Sequence, residues 1–244
     1  MNKRLKIKKI KNALAFAVSL IMSLSFLLGA LLSTLLHFVY NPAFYVDCMR
    51  RAGVLEETGV DVHSLDIAML ALTSYLRSDT DRIDVDITVN GEERPFLNDR
   101  EQAHMADVAR LFRLAECVRI PCGIIALVSA IICVVLSRRK HDRRPSAHVG
   151  LGMAAGGLAY IMGAGLIAIP ASMDFYSIFY KFHERMFTND LWLLNPDTDF
   201  LIRLMPTAFF AYFAAFITLA WLAWVAAFII LGFRLWAKRK AGGT

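Results

Sequence analysis

The chain has 244 residues, of which 57% are hydrophobic and only 20% charged, with 27 Lys and Arg against 21 Asp and Glu, and its mean hydropathy is +0.49. A water-soluble domain carries about 45–50% apolar residues and about a quarter charged, so a soluble globular fold is excluded. The net charge of +6 would suit nucleic acid, but the placement of the charges excludes that partner.

Counting His as neutral, four runs carry no charge: 12–46, 120–137, 149–173 and 204–233. Each can supply the roughly 20 residues that cross a bilayer at 1.5 Å per residue. The sequence therefore predicts a basic tail at 1–11, spans at 12–39, 120–137, 149–173 and 204–233, and a loop at 138–148. Two further segments at 40–119 and 174–203 and a tail at 234–244 complete the chain. Fifteen of the basic residues lie in the two tails and the 138–148 loop, with Asp142 as the only acid there. The other two segments hold twelve basic and twenty acidic residues. The positive-inside rule places both termini and the short loop in the cytoplasm and the acidic segments outside. Basic clusters at membrane edges answer to topology and anionic lipid heads. The apolar stretch from Ala13 to about Val39 exceeds a 7–15-residue signal core and lacks a small-x-small cleavage site, so it reads as an uncleaved anchor.

Within 40–119, Ser64 can cap a helix that carries Leu65, Met69, Leu72 and Leu76 on one face and ends near Ser78. Residues 83–89 alternate apolar and polar and run into Asn90-Gly91, the signature of a type I′ hairpin returning through Glu92 to Leu97. Asn98 with Glu101 three residues later makes a capping-box start to a second helix. That helix passes His104, Asp107, Val108, Leu111 and Phe112 towards Pro121, which marks a kink or the first turn of the second span. In the second outer segment Tyr176, Phe179, Tyr180, His183 and Phe187 fall on one helical face, the kind of aromatic stripe found at headgroup depth. Asn195-Pro196 breaks that helix, and Asp197, Thr198 or Asp199 would cap a short turn leading into the last span. The fold class is an all-α polytopic membrane protein, four transmembrane helices with a small extracytoplasmic α+β head containing a β-hairpin.

The four cysteines, Cys48, Cys117, Cys122 and Cys133, follow no metal spacing. They read as small apolar residues, with a Cys48 bridge to Cys117 or Cys122 permitted outside the cell. No G-x-S-x-G, H-E-x-x-H or phosphate-binding loop is present, and the glycines of the third span serve close helix packing. The remaining chemistry lies in histidines. His104 has Glu101 and Asp107 three residues to either side, and a carboxylate beside an imidazole fixes its tautomer and favours general acid/base work. It can equally be a partly exposed helical histidine. His183 sits in the aromatic stripe with Glu184, Arg185, Asn189 and Asp190 nearby, either as an interfacial packing residue or as a catalytic one. His37 reads as an interior or interfacial histidine, His63 as a solvated one, and His141 and His148 as members of the cytoplasmic cluster.

Two motifs carry a resemblance. Glu101-Gln102-Ala103-His104-Met105-Ala106-Asp107-Val108 resembles an E-x-x-H-M-x-D-V element. The stretch from Phe182-His183-Glu184-Arg185-Met186-Phe187 through Thr188-Asn189-Asp190-Leu191-Trp192 resembles F-H-x-x-F-F-x-N-D-x-W, continuing through Asp199-Phe200-Leu201-Ile202 and Pro206-Thr207-Ala208-Phe209-Phe210. With four spans and both termini inside, the chain resembles the bacterial lipoprotein intramolecular transacylase (Lit) family. It departs from the pattern at Met186, where a Phe is expected, and at Thr207, where an acid is expected.

The resemblance implies an acyltransferase of the bacterial cell membrane, active at the outer leaflet. It moves the sn-2 acyl chain of a diacylglyceryl-cysteine lipoprotein to the cysteine α-amino group, giving the lyso-form without a covalent acyl-enzyme. His104 and His183 match the family's two essential histidines. Glu101 and Asp107 are candidate orienters, and Asn189, Asp190 and Trp192 candidate substrate-positioning residues, with Asn189 and Asp190 equally readable as turn formers. The expected partners are a diacylated lipoprotein and membrane lipids, with no metal, no cofactor, no nucleic acid and a monomeric state. The competing class is a non-enzymatic membrane protein whose acidic outer head binds a partner. An enzyme must bring the two imidazoles together beside lipid, which a binding module has no reason to do.

Overall fold

The computed structural model describes residues 3–137 and 144–237; Arg138, Arg139, Lys140, His141, Asp142 and Arg143 of the 138–148 loop, and the tail from Lys238 onward, lie outside the described residues. In chain order the elements are α1 (Lys3–Val39), α2 (Pro42–Arg51), α3 (Val54–Thr58), α4 (Val62–Leu76), β1 (Asp86–Val89), β2 (Glu92–Pro95), α5 (Asp99–Ser137), α6 (Arg144–Met173), α7 (Phe175–Met186), α8 (Leu201–Leu204) and α9 (Thr207–Ala237). Four of them, α1, α5, α6 and α9, are long and apolar enough to cross a membrane. The chain divides into two compact units.

The first unit takes in the described residues of Met1–Ser33, Cys117–Ala168 and Leu219–Thr244. Its burial pattern departs from that of a soluble bundle, with large apolar side chains exposed around small apolar clusters. Leu127, Val135, Leu166 and Leu219 are more than 60% exposed while Ser19, Ser23 and Ser129 are buried. Apolar side chains turned outward suit hydrocarbon, where helix association depends on close packing and interhelical hydrogen bonds instead of apolar burial. Ser23 Oγ donates to Met153 O at 3.2 Å, Tyr160 OH to Leu24 O at 2.7 Å and Trp221 Nε1 to Leu27 O at 2.9 Å. At one crossing Gly150 and Gly232 lie face to face, and a Cβ on either would run into the other's carbonyl oxygen.

The second unit takes in Thr34–Glu116 and Ile169–Thr218. Its core gathers Leu65, Met69, Leu72 and Leu76 of α4 with Met49 of α2, Ile87 of β1, Phe96 and Phe200. The expected apolar face of α4 is therefore the buried one. Its cap is not the expected residue: Asp61 accepts from the Ser64 amide at 3.0 Å, while Ser64 Oγ accepts from the Thr88 amide at 3.2 Å. A carboxylate three residues before N3 reaches the free amide better than Ser64, which is already inside the helix. β1 and β2 pair antiparallel with Val89 opposite Glu92, and Asn90 and Gly91 take φ of 52° and 86° as a type I′ turn requires. The paired strand is shorter than the alternating stretch, but Ile83 keeps its inward place at 3% exposure.

The helices α2 and α3 are not among the elements expected from sequence. α5 runs without a break through Pro121, so that proline neither ends nor restarts the helix. α7 stops at Met186, with Phe187 extended, well before Asn195-Pro196. The uncharged run from Leu204 is interrupted at Met205-Pro206, where α8 gives way to α9. Phe200 occupies the N-cap position of α8 with no side-chain cap, so none of Asp197, Thr198 and Asp199 caps it. All four cysteines are free, and Cys117 is exposed, not buried.

The Gly150–Gly232 contact gives a test of the first unit. Gly150→Ala is expected to cost about 1–3 kcal/mol by overpacking and to lower the apparent melting temperature of the detergent-solubilised protein. Gly163→Ala, where a Cβ meets open space, is expected to leave that temperature unchanged.

Candidate active site

The second unit brings His104 and His183 together although they are far apart in sequence. The capping box sets the first. Glu101 N donates to Asn98 Oδ1 at 2.9 Å and Asn98 N donates to Glu101 Oε2 at 2.7 Å, which fixes the start of α5 and so the direction of the residues one turn later. The second is set by α7, where Asp174 accepts from the Ser177 amide at 3.0 Å as N-cap. His183 Nδ1 donates to Phe179 O at 2.8 Å, since a carbonyl can only accept. The tautomer is thereby fixed, leaving Nε2 with its lone pair.

The two rings stand 6.2 Å apart between centroids, inclined at 38°. Phe187 packs on both, at 5.2 Å from His104 and 5.5 Å from His183. Phe179 lies 4.2 Å and Trp192 5.2 Å from His183. Each histidine is 8% exposed. The uncharged part of α5 begins only at Ile120, so His104 belongs to the charged portion before the span. Burial, and next the facing His183, push the His104 imidazole down to about 4. Burial also lowers His183, against the opposing pull of the Phe179 carbonyl. At neutral pH the site therefore holds two uncharged imidazoles.

Neither expected orienter is hydrogen-bonded to His104 Nδ1. Glu101 is fully buried, but besides Asn98 it accepts from the Leu201 amide, through Oε1 at 2.6 Å, and so ties α8 to the start of α5. Asp107 Oδ2 accepts from Asn189 Nδ2 at 2.7 Å, and its carboxylate pairs with Arg110. His104 Nδ1 is buried with no hydrogen-bond partner among the described residues. The i±3 spacing allowed either carboxylate to approach the ring, yet each found a stronger partner across the fold. Asn189 also accepts from the Leu191 amide at 3.2 Å, the Asx turn that its type favours. Asp190 offers its carbonyl to Arg100, and Trp192 packs against His183 with the rings inclined at 34°. Arg100 has no role in the sequence reading, where its one signal is adjacency to the Asn98 cap. Asp199, a cap candidate and part of the motif from sequence, is instead buried and accepts from Asn98 Nδ2 at 2.8 Å and from Asn195 N at 2.7 Å. Of the other histidines, His37 packs edge-on against Phe38, and His63 is exposed.

The lowered imidazoles make stability depend on pH. Unfolded, these histidines take up protons near the ordinary value of about 6.5, whereas the folded chain binds them only at lower pH. Their contribution is complete above about 6.5 and is lost as pH falls through the lowered values. Buried Glu101, raised by burial against two backbone amides, acts with the opposite sign, so a difference measurement is needed. Between pH 7 and pH 5 the melting temperature of His104→Phe is expected to fall less than that of the parent.

The family whose description is lipoprotein intramolecular transacylase Lit matches residues 20–210. Among solved structures, the chain is similar to the membrane integral lipoprotein intramolecular transacylase Lit from Bacillus cereus. The identity is 19%, the match covers 94% of this chain and 99% of that one, and the TM-score is 0.72. A histidine-to-arginine variant of that protein matches at 18% identity, 98% of each chain and a TM-score of 0.69. At these identities the likeness establishes a shared fold. No curated protein matches the chain.

Proposed function

This chain belongs to the lipoprotein intramolecular transacylase Lit family, and we propose that it moves the sn-2 acyl chain of a diacylglyceryl-cysteine lipoprotein to the α-amino group of the same cysteine. The product is the N-acyl, S-monoacylglyceryl lyso-form. The observation that supports this reading is the meeting of two imidazoles, 6.2 Å apart, in an aromatic surround that keeps them neutral. A module that only binds a partner has no use for that arrangement.

The nucleophile is the substrate's own nitrogen, so no serine or cysteine of the enzyme attacks and no acyl-enzyme forms. An α-amino group has a pKa near 7.7–8.0, so about a tenth is already neutral at pH 7. As the C–N bond forms the nitrogen becomes strongly acidic, and the base is needed at that moment. His183 takes the proton, because its Nδ1 is engaged by Phe179 and its Nε2 is left as the acceptor. His104, which burial holds uncharged at neutral pH, has a proton to give only after receiving one, so the proton taken by His183 passes to His104 and from it to the glycerol oxygen as the tetrahedral carbon expels it. The ester C–O bond breaks, the amide C–N bond remains, and the proton lost by the amine is the one gained by the leaving alcohol. No cofactor or metal takes part. Trp192 supplies a flat apolar wall beside the base, against which the substrate is positioned together with Asp190.

The four apolar helices suit a multi-pass protein of the bacterial cell membrane. The proposed topology keeps both termini in the cytoplasm, on the charge asymmetry of the sequence, and sets the histidines at the outer leaflet beside the lipid-borne ester.

The test uses a strain whose lipoproteins are only diacylated, with mass spectrometry of a lipoprotein N-terminus. Expression of the parent is expected to yield the lyso-form. His104→Ala and His183→Ala, present at parental levels in the membrane, are each expected to lower its yield about 10²-fold or more. Lyso-form production undiminished in both variants would overturn the assignment.

A further inference from the structure

Arg100, His104 and Asp107 fall at i, i+4 and i+7 of α5, on one helical face, and all three side chains meet the segment from His183 to Leu193. His104 faces the rings of His183 and Phe187. On one side of it Arg100 Nη2 donates to the carbonyls of Asp190 and Leu193. On the other, Asp107 accepts from Asn189 Nδ2 at 2.7 Å and is held by Arg110. Asn189 lies two residues after Phe187, the ring wedged against both imidazoles, and its Oδ1 closes the turn at Leu191. Trp192 lies within the stretch that these ties hold, and Phe187 lies two residues before its first tie.

We propose that Arg100 and the Asp107–Asn189 pair form a brace that clamps residues 189–193 across α5 and sets the separation of the two imidazoles, acting as positioning residues that do not touch the substrate. The amide of Asn189 is satisfied at both ends by protein groups, so a direct substrate contact from it would cost one of these bonds. The inference rests on the acyl-transfer reading for its kinetic consequence but not for its geometry. A displacement of about 1 Å in a catalytic group can cost about 10²-fold in rate, which is the scale expected when a tie is cut.

The reciprocal exchange tests it. Asn189→Asp places two carboxylates where a hydrogen bond was, and the lyso-form kcat measured on a synthetic diacylated lipopeptide is expected to fall about 10²-fold with KM nearly unchanged. Adding Asp107→Asn restores a donor and an acceptor with the roles reversed, and is expected to return kcat to within about tenfold of the parent. Arg100→Ala is expected to lower kcat with KM unchanged. Imidazole NMR of the same proteins reads the brace independently of catalysis: the ring signals of His104 and His183 are expected to move in Asn189→Asp and return in the double variant. Unchanged ring signals in Asn189→Asp, or a double variant no better than the single, would overturn the brace whatever the activity shows. A parent that makes no lyso-form while the ring signals behave as stated would overturn the function and leave the brace standing.

Discussion

Two imidazoles deprived of water within an aromatic surround set the terms for the rest of the second unit. A carboxylate beside either ring would have held it protonated. None is bonded there, and His104 Nδ1 has no partner among the described residues. Depressing a histidine from the ordinary value to about 4 corresponds to about 3 kcal/mol against charging the ring. Phe187 packs against both rings, Phe179 and Trp192 pack against His183, and the Phe179 carbonyl fixes the His183 tautomer. An uncharged, desolvated pair of this kind suits proton exchange with an amine and an ester oxygen better than it suits holding an ion.

Keeping such a pair in place requires fixed backbone on both sides, and the start of α5 provides it. The capping box there does more than begin a helix. Its glutamate extends one oxygen to the Leu201 amide, and its asparagine extends the side-chain nitrogen to Asp199. A local motif thus becomes a junction for a segment a hundred residues away in sequence. The buried carboxylates of Glu101 and Asp199 are satisfied chiefly by hydrogen-bond donors instead of cations, which avoids the geometric demands of a buried ion pair.

The first unit obeys a different rule. Many of its apolar side chains face outward, and buried polar groups, those of Ser23 and Trp221 among them, hydrogen-bond to carbonyls of neighbouring helices. Glycines at positions 150 and 232 permit the close backbone approach that packing in lipid requires. Under the proposed function such a body would receive a substrate anchored by its acyl chains, with both the ester and the amine arriving from the bilayer.

What the sequence determined by itself was whatever depends on neighbours within a few residues. The four apolar lengths, the buried face of α4, the Asn90-Gly91 turn and the Asn98–Glu101 box all follow from helical and strand periods and turn chemistry. The family pattern singled out His104 and His183, but only the folded chain brought their rings within 6.2 Å. The tertiary structure also decided where polar side chains with several open choices went. Asp61 displaced Ser64 as cap, Glu101 and Asp107 bonded across the fold and not to the imidazole, and Arg100 became a tie to the 190–193 backbone. α7 stops at Met186, and the extended Phe187 packs against both histidines, a contact that no local pattern encodes. Short polar side chains satisfy whichever partner the packing of apolar faces brings nearest, so their roles become fixed only once those faces have met.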